Sequence, residues 1–285
     1  MKKSFLFLLL LGGLFFTSCE EETTGEVLDL PGELELEFDN IALIDGIQRQ
    51  IELKEAGSTE YNYTNGMGQD FNLTFLKYYI SDIVLEGDDK LYYEVPTNVT
   101  ATSAEGYYLI DEAIVASQLV RLEDVPAGRY NKISFTVGVE EEGVMEGAAG
   151  GVLDPSTSGM FWNWNAGYVA LKIEGQSPVS PGGAFGNSIT PEDENGIVFH
   201  VGGWKEVEDT PFINNNQRIT LDFDTEAVVE QKERPHVHLV MDVLKIFEGD
   251  NMIDFTGNVN MHKPSDAKPL ANNIAKAFAF DHIHQ

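Results

Sequence analysis

Hydrophobic and polar residues alternate with a period of two along most of the chain. In LELEFDN, Leu34, Leu36 and Phe38 fall on one face and Glu33, Glu35 and Glu37 on the other, the alternation of a half-buried strand. KISFTVGVE repeats it with Ile133, Phe135, Val137 and Val139. FNLTFLKYYISDIVLEG predicts one long strand or two joined ones, and RITLDFD and HVHLVMDVLKIFEG predict further strands. Turn residues separate these runs: Gly87-Asp88-Asp89, Pro126-Ala127-Gly128, Gly147 to Gly151, and Gly249-Asp250-Asn251. Short helices are predicted over DEAIVASQLVR (111–121) and over PLANNIAKAF near the C-terminus. No internal repeat or linker divides the pattern. It predicts one all-β domain over residues 33–285, an antiparallel β-sandwich of immunoglobulin-like type with long loops and one or two short helices. The longest loop is expected over QSPVSPGGAFGNSITPEDEN, residues 176–195, and is expected to be mobile.

The first residues break the pattern. Lys2 and Lys3 precede an apolar run from Phe5 to Phe16 that is too short to span a bilayer. Residues 1–18 therefore read as a lipoprotein signal peptide, with Thr17 and Ser18 leading to Cys19, the only cysteine of the chain and the expected site of lipidation (palmitate). Residues 19–32 are polar and acidic and read as a flexible tether. The expected location is the cell envelope, lipid-anchored at the outer membrane on its periplasmic or surface face. With Cys19 lipidated, neither a disulfide nor a thiolate metal site is available. The net charge of -29 argues against nucleic acid as a partner, because phosphate binding needs the opposite sign, and it favours cations near the surface.

All six histidines lie beyond residue 199. Strand alternation in RPHVHLVMDV sends His236, His238, Val240 and Asp242 to one face and Val237, Leu239, Met241 and Val243 to the other, which reads as core. The two histidine Cβ atoms are then roughly 6.5–7 Å apart, close enough for both imidazoles to reach one metal ion. Such a pair also occurs on ordinary exposed strands. In AFAFDHIHQ the same alternation puts Phe278, Phe280, His282 and His284 on one face, with Asp281 and Ile283 opposite, so the histidines are expected to be drawn against the protein. His262 follows Met261 and joins them if the last strand returns alongside. His200, in IVFHVGGW, shares a face with Val198, opposite Ile197, Phe199 and Val201; a strand histidine of this kind also serves as a hydrogen-bonded structural residue. Imidazoles without cysteine suit copper, zinc or nickel. Ligation needs the neutral ring, so affinity is expected to fall as pH drops through about 6.5. No calcium loop, nucleophile elbow, zinc-protease motif or phosphate-binding glycine fingerprint occurs, so the chain is not expected to be an enzyme.

GMFWNWNAGYVALKIEG, residues 159–175, places Met160, Trp162 and Trp164 on one face of a strand and Phe161, Asn163 and Asn165 on the other. Such tryptophans pack a core, wall a metal site, or stack on a glycan if the surface is open.

Five blocks now fall into order: FLKYYISDIVL (75–85), VPAGRYNKISFTVGVE (125–140), the tryptophan stretch, FHVGG (199–203), and MHKP with the terminal HIH. Their sequence resembles the MbnP-like family of secreted or lipid-anchored bacterial proteins, related to the copper-binding partner protein of methanobactin gene clusters and distantly to MopE. The resemblance runs from about Leu34 to the C-terminus. It implies a β-rich copper-binding protein of the cell envelope, with a di-haem cytochrome c peroxidase-like partner that oxidises a tryptophan to kynurenine. By residue, it implies copper ligands at His200, His262, His282 and His284, and Trp162 or Trp164 as the kynurenine or the wall of the site; His236 and His238 are further candidate ligands from the strand pattern. The competing expectation is a surface glycan-binding or adhesive lipoprotein.

Overall fold

The computed structural model describes residues 30–140, 143–144, 150–163, 166–182, 195–203 and 213–285, and the structural statements below concern these. The predicted signal peptide, Cys19, most of the predicted tether, Trp164 and residues 183–194 of the predicted loop lie outside them.

The principal strands, in chain order, are β1 (Gly32–Ile44), β2 (Ile47–Gln50), β3 (Asp70–Gly87), β4 (Leu119–Val125), β5 (Gly128–Val137), β6 (Phe161–Asn163), β7 (Gly167–Gln176), β8 (Gly196–Gly202), β9 (Gln217–Val229), β10 (His236–Asp242), β11 (Asn260–Met261) and β12 (Phe278–His284). Short helices α1 (Pro155–Ser158), α2 (Val243–Glu248) and α3 (Lys268–Ala277) decorate them. Two sheets form the body. The five-stranded sheet runs β12-β10-β1-β2, with β4 also on β1, and the ten-stranded sheet runs β9-β5-β3-β7-β8-β11, with β6 on β7.

The alternation in the sequence builds the core between the sheets. Leu34, Leu36 and Phe38 of β1 and Val237, Leu239 and Met241 of β10 are all buried and face Ile133 and Phe135 of β5 and Phe199 and Val201 of β8. Edge-to-face ring pairs lock one sheet on the other: Phe38 on Phe135 at 5.4 Å, Phe135 on Phe278 at 5.3 Å, and Tyr78 on Phe278 at 5.8 Å. Buried Tyr78 donates its hydroxyl to Asn40 Oδ1 at 2.9 Å, so the polar tip is satisfied inside the core.

The all-β sandwich predicted from the pattern is present, but its sheets are mixed. β10 lies parallel to β1, with Glu35 opposite His236 and Glu37 opposite His238, and β11 lies parallel to β8. Parallel neighbours need long crossovers, and the chain between β1 and β10 supplies one. The run 71–87 is one strand with a bulge: Ser134 faces Val84 but Thr136 faces Ser81, and Asp82 takes up the extra residue at φ 53.

Two predicted elements are corrected. Residues 111–121 form only a 3-10 turn, Val115–Gln118, before β4 begins. The Asp111 carboxylate accepts from Ala113 N at 3.0 Å, and Ser117 Oγ donates to Ile114 O at 2.7 Å, local bonds that compete with a helix. The strand read through HVHLVMDVLKIFEG ends at Asp242, whose Oδ1 accepts from Leu244 N at 3.2 Å and caps α2. The helix predicted in PLANNIAKAF is present as α3.

Candidate metal centre

The six histidines fall into two groups, one on each sheet. The first is built by β8 and β11. In β8, Ile197, Phe199 and Val201 turn into the core, which leaves Val198, His200 and Gly202 on the other face, as alternation requires. Pairing Phe199 with Met261 in the parallel β8–β11 ladder then brings His262 to His200. Their rings meet edge to face with centroids 4.4 Å apart. Asn215 fixes this corner by donating Nδ2 to Gly202 O at 2.9 Å and to Pro264 O at 2.8 Å, tying the end of β8 to the chain just past His262.

A buried charge set supports the pair. His200 Nε2 lies 2.9 Å from Glu174 Oε1 on the neighbouring β7, and Lys172 Nζ lies 3.2 Å from the same oxygen. Glu174 is 0% and Lys172 3% exposed. Lys172 also sits over the Phe75 ring at 4.5 Å. Burial works to raise the Glu174 carboxyl, but the hydrogen bond from His200 and the charge of Lys172 outweigh it and hold it below its ordinary value. Burial pulls the His200 imidazole down against the Glu174 bond. It pulls His262 down to about 4, with His200 adding to the effect. Both rings are therefore neutral at pH 7, the form that binds metal. A metal bound at this pair would meet proton competition only below the ordinary imidazole range, lower than the pH of about 6.5 that unperturbed imidazoles set.

Trp162 lies over the same face of β8. A β-carbon built on Gly202 would stand 3.1 Å from Trp162 Cζ3, so the indole lies over the face of β8 that carries His200, two residues along. The ring packs against the outer-face cluster of Tyr79, Tyr107, Met160 and Tyr168. Its Nε1 is buried and makes no hydrogen bond. Trp162 is thus a half-buried wall, not an open stacking platform.

The second group lies on the outer face of the five-stranded sheet. His236 and His238 alternate outward from β10, as expected, and in the antiparallel β10–β12 ladder His236 faces His284 and His238 faces His282. The ring centroids of His236 and His238 are 4.3 Å apart, those of His238 and His282 4.2 Å, and those of His282 and His284 4.7 Å. His282 and His284 do not share a face with Phe278 and Phe280. The ladder slips between His238 and Leu239, so that Phe280 opposes Leu239 while His282 opposes His238, and Asp281 is the extra residue. Phe280 and Ile283 pack on the core, and His282 and His284 stand exposed.

The ligand set that the resemblance implied is therefore divided: His200 joins His262, whereas His282 and His284 join His236 and His238 on the opposite sheet. Sequence reading had not singled out Glu174, Lys172, Glu37 or Asp39. Glu37 was visible as a polar position of β1, but its partners lie about two hundred residues away.

A family model described as MbnP matches residues 31–265. Among solved structures, the chain is similar to MbnP from Methylosinus trichosporium, with 17% sequence identity, 84% of this chain and 86% of that chain covered, and a TM-score of 0.49. No curated protein matches it. His200, His236, His238, His262 and Trp162 lie within the matched residues, and His282 and His284 lie beyond them.

Proposed function

The chain belongs to the MbnP family, and from that premise we propose that it is a copper-binding protein that holds the metal at His200 and His262 beside Trp162. The observation that carries this reading is the contact of two neutral, largely enclosed imidazoles at 4.4 Å. The donor set fits copper: imidazole nitrogens are good ligands for it, and no thiolate is needed. Glu174 is placed as the outer partner that orients His200, and Lys172 balances its charge. Copper is cargo in this reading, and the protein is not an enzyme.

The finer parts of the proposal follow. Cys19 carries the lipid anchor, with residues 1–18 removed and the domain held at the cell envelope, at the outer membrane. A di-haem cytochrome c peroxidase-like partner oxidises Trp162. In balanced form, two peroxide equivalents add two oxygen atoms across C2–C3 of the indole with release of two waters, and hydrolysis then removes C2 as formate to leave kynurenine. The buried, unbonded Nε1 of Trp162 would become an anilinic amine. The glycan-stacking alternative draws no support from Trp162, whose polar nitrogen is enclosed.

Copper titration with metal analysis tests the site, performed in a His282→Ala/His284→Ala background so that the other histidine group does not contribute. One copper per chain, lost on adding His262→Ala, is the expected result. No stoichiometric uptake at neutral pH, or uptake indifferent to His262, overturns it. Intact mass measurement of natively expressed protein tests the tryptophan step, because the mass difference between tryptophan and kynurenine should map to the peptide containing Trp162.

A further inference from the structure

The outer face of the five-stranded sheet carries chemistry that the copper proposal does not use. We propose that His238, His282 and His284 form a second metal site, with His236 at its rim, for a divalent borderline ion such as Zn2+. It goes beyond the copper reading and does not depend on it.

The argument begins with the ligand atoms. One nitrogen from each of His238, His282 and His284 lies within 4.8 Å of the other two. Nitrogens bound to one ion at 2.0–2.1 Å lie about 3.3 Å apart in tetrahedral geometry, so small side-chain rotations close the set. His282 Nε2 and His284 Nε2 are already 3.1 Å apart. One of them must hold a proton in that contact, and for both nitrogens to ligate one ion that proton moves to the Nδ1 of the same ring.

The second argument is orientation. His238 Nδ1 faces two carboxylates, Asp39 Oδ2 at 3.3 Å and Glu37 Oε2 at 3.4 Å. With its proton on Nδ1, the ring presents Nε2 as a lone pair, and that Nε2 is buried without a hydrogen-bond partner. His282 Nδ1 lies 2.9 Å from Asp281 Oδ2, which leaves its Nε2 for the metal in the same way. A carboxylate behind a ligating imidazole fixes its tautomer and raises its basicity, and two of the three rings have one. His236 Nε2 lies 2.8 Å from Glu37 Oε2, out of line for a hydrogen bond, and bridges the rim to the same carboxylate.

The third argument is position. The parallel pairing of β10 with β1 sets the acidic face of β1 directly beside the histidines, and the slip at Asp281 turns His282 and His284 to the same side. The donors are imidazole nitrogens backed by carboxylates, a set for Zn2+, Ni2+ or Cu2+ and not for Ca2+ or Mg2+. The strongly acidic surface concentrates such cations near it.

Cobalt(II) is the probe, because tetrahedral nitrogen coordination gives visible d–d bands. The full-length protein is titrated with Co2+ and then with Zn2+. The expected result is saturable bands at one ion per chain, bleached by Zn2+, and absent from His282→Ala/His284→Ala, whose exposed substitutions leave the circular dichroism unchanged. His238→Ala should weaken Co2+ binding at least tenfold. Absence of saturable bands in the native protein, or bands that persist in the double variant, overturns the proposal. Because the readout tracks the C-terminal pair, it stands or falls separately from copper uptake at His262.

Discussion

His238 and His282 stack across the β10–β12 ladder with ring centroids 4.2 Å apart and planes 13° from parallel. They meet because Asp281 is an extra residue in β12. Strict alternation from Phe280, which packs on the core, would send Asp281 outward, His282 inward and Ile283 outward. The bulge reverses that phase, so the last four residues change faces.

The phase of β12 can be read by substitution. Ile283→Ser should destabilise the protein by about 1–2 kcal/mol, because it removes apolar area that packs on the core. His284→Ser, on the exposed face, should change stability by no more than about 0.5 kcal/mol. Urea unfolding of the two variants decides it; equal effects would mean that β12 is not held in this register.

Much of this was legible in the sequence, and the failures have physical causes. The alternation in LELEFDN and HVHLV assigned core and outer faces correctly, because one face of each strand is buried and period two reports it. It could not show that β1 and β10 are parallel neighbours, since pairing partners are a tertiary choice. Nor could it show the bulge, as a single inserted residue leaves no local signature at Asp281. In GYVALKIEGQ every residue of β7 is buried, and nothing in the pattern marks Lys172 and Glu174 as enclosed; a strand covered on both sides is indistinguishable from a half-buried one when its covered polar residues satisfy each other.

The Lys172–Glu174 pair should behave as a buried ion pair. Lys172→Met leaves Glu174 enclosed with only part of its compensation and should cost about 3 kcal/mol. Lys172→Met/Glu174→Gln, in which no unbalanced charge remains, should recover most of that. Denaturant unfolding of the single and double variants gives the coupling directly; additive losses would contradict it.

Glu112 sets a pH dependence. Burial first, with the charges of Asp111 and Asp39 and against the hydrogen bond from Asn40 at 2.8 Å, raises its carboxyl to about 7, and Gln118 also donates to it at 3.0 Å. The folded protein therefore holds this proton more tightly than the unfolded chain. Below about 4.5 both states are protonated and the residue is neutral to stability; between about 4.5 and 7 the unfolded state ionises first and stability falls; above about 7 the penalty is complete. Glu112→Gln, which keeps an acceptor for both donors, should raise stability at pH 8 by about 1–2 kcal/mol after allowing for solvent screening, and leave it unchanged at pH 4. Thermal unfolding across that range checks the sign.

Gly202 links the fold to the proposed copper site. A β-carbon there would stand 2.5 Å from Tyr168 O, a contact that real side chains do not make, and 3.1 Å from Trp162 Cζ3. Tyr168 O belongs to the β7 backbone and can yield only by opening the β7–β8 ladder, whereas the indole can tilt. Gly202→Ala should therefore cost about 2 kcal/mol, opening the end of the β7–β8 ladder and displacing the Trp162 ring. The measurement is tryptophan emission together with copper uptake. A shift in emission that disappears in a Trp162→Phe background, with weakened copper binding, is the expected pair of results. Unchanged emission would mean that the indole is not seated on Gly202, and unchanged copper binding alongside a shifted emission would detach Trp162 from the site while leaving the histidine pair intact.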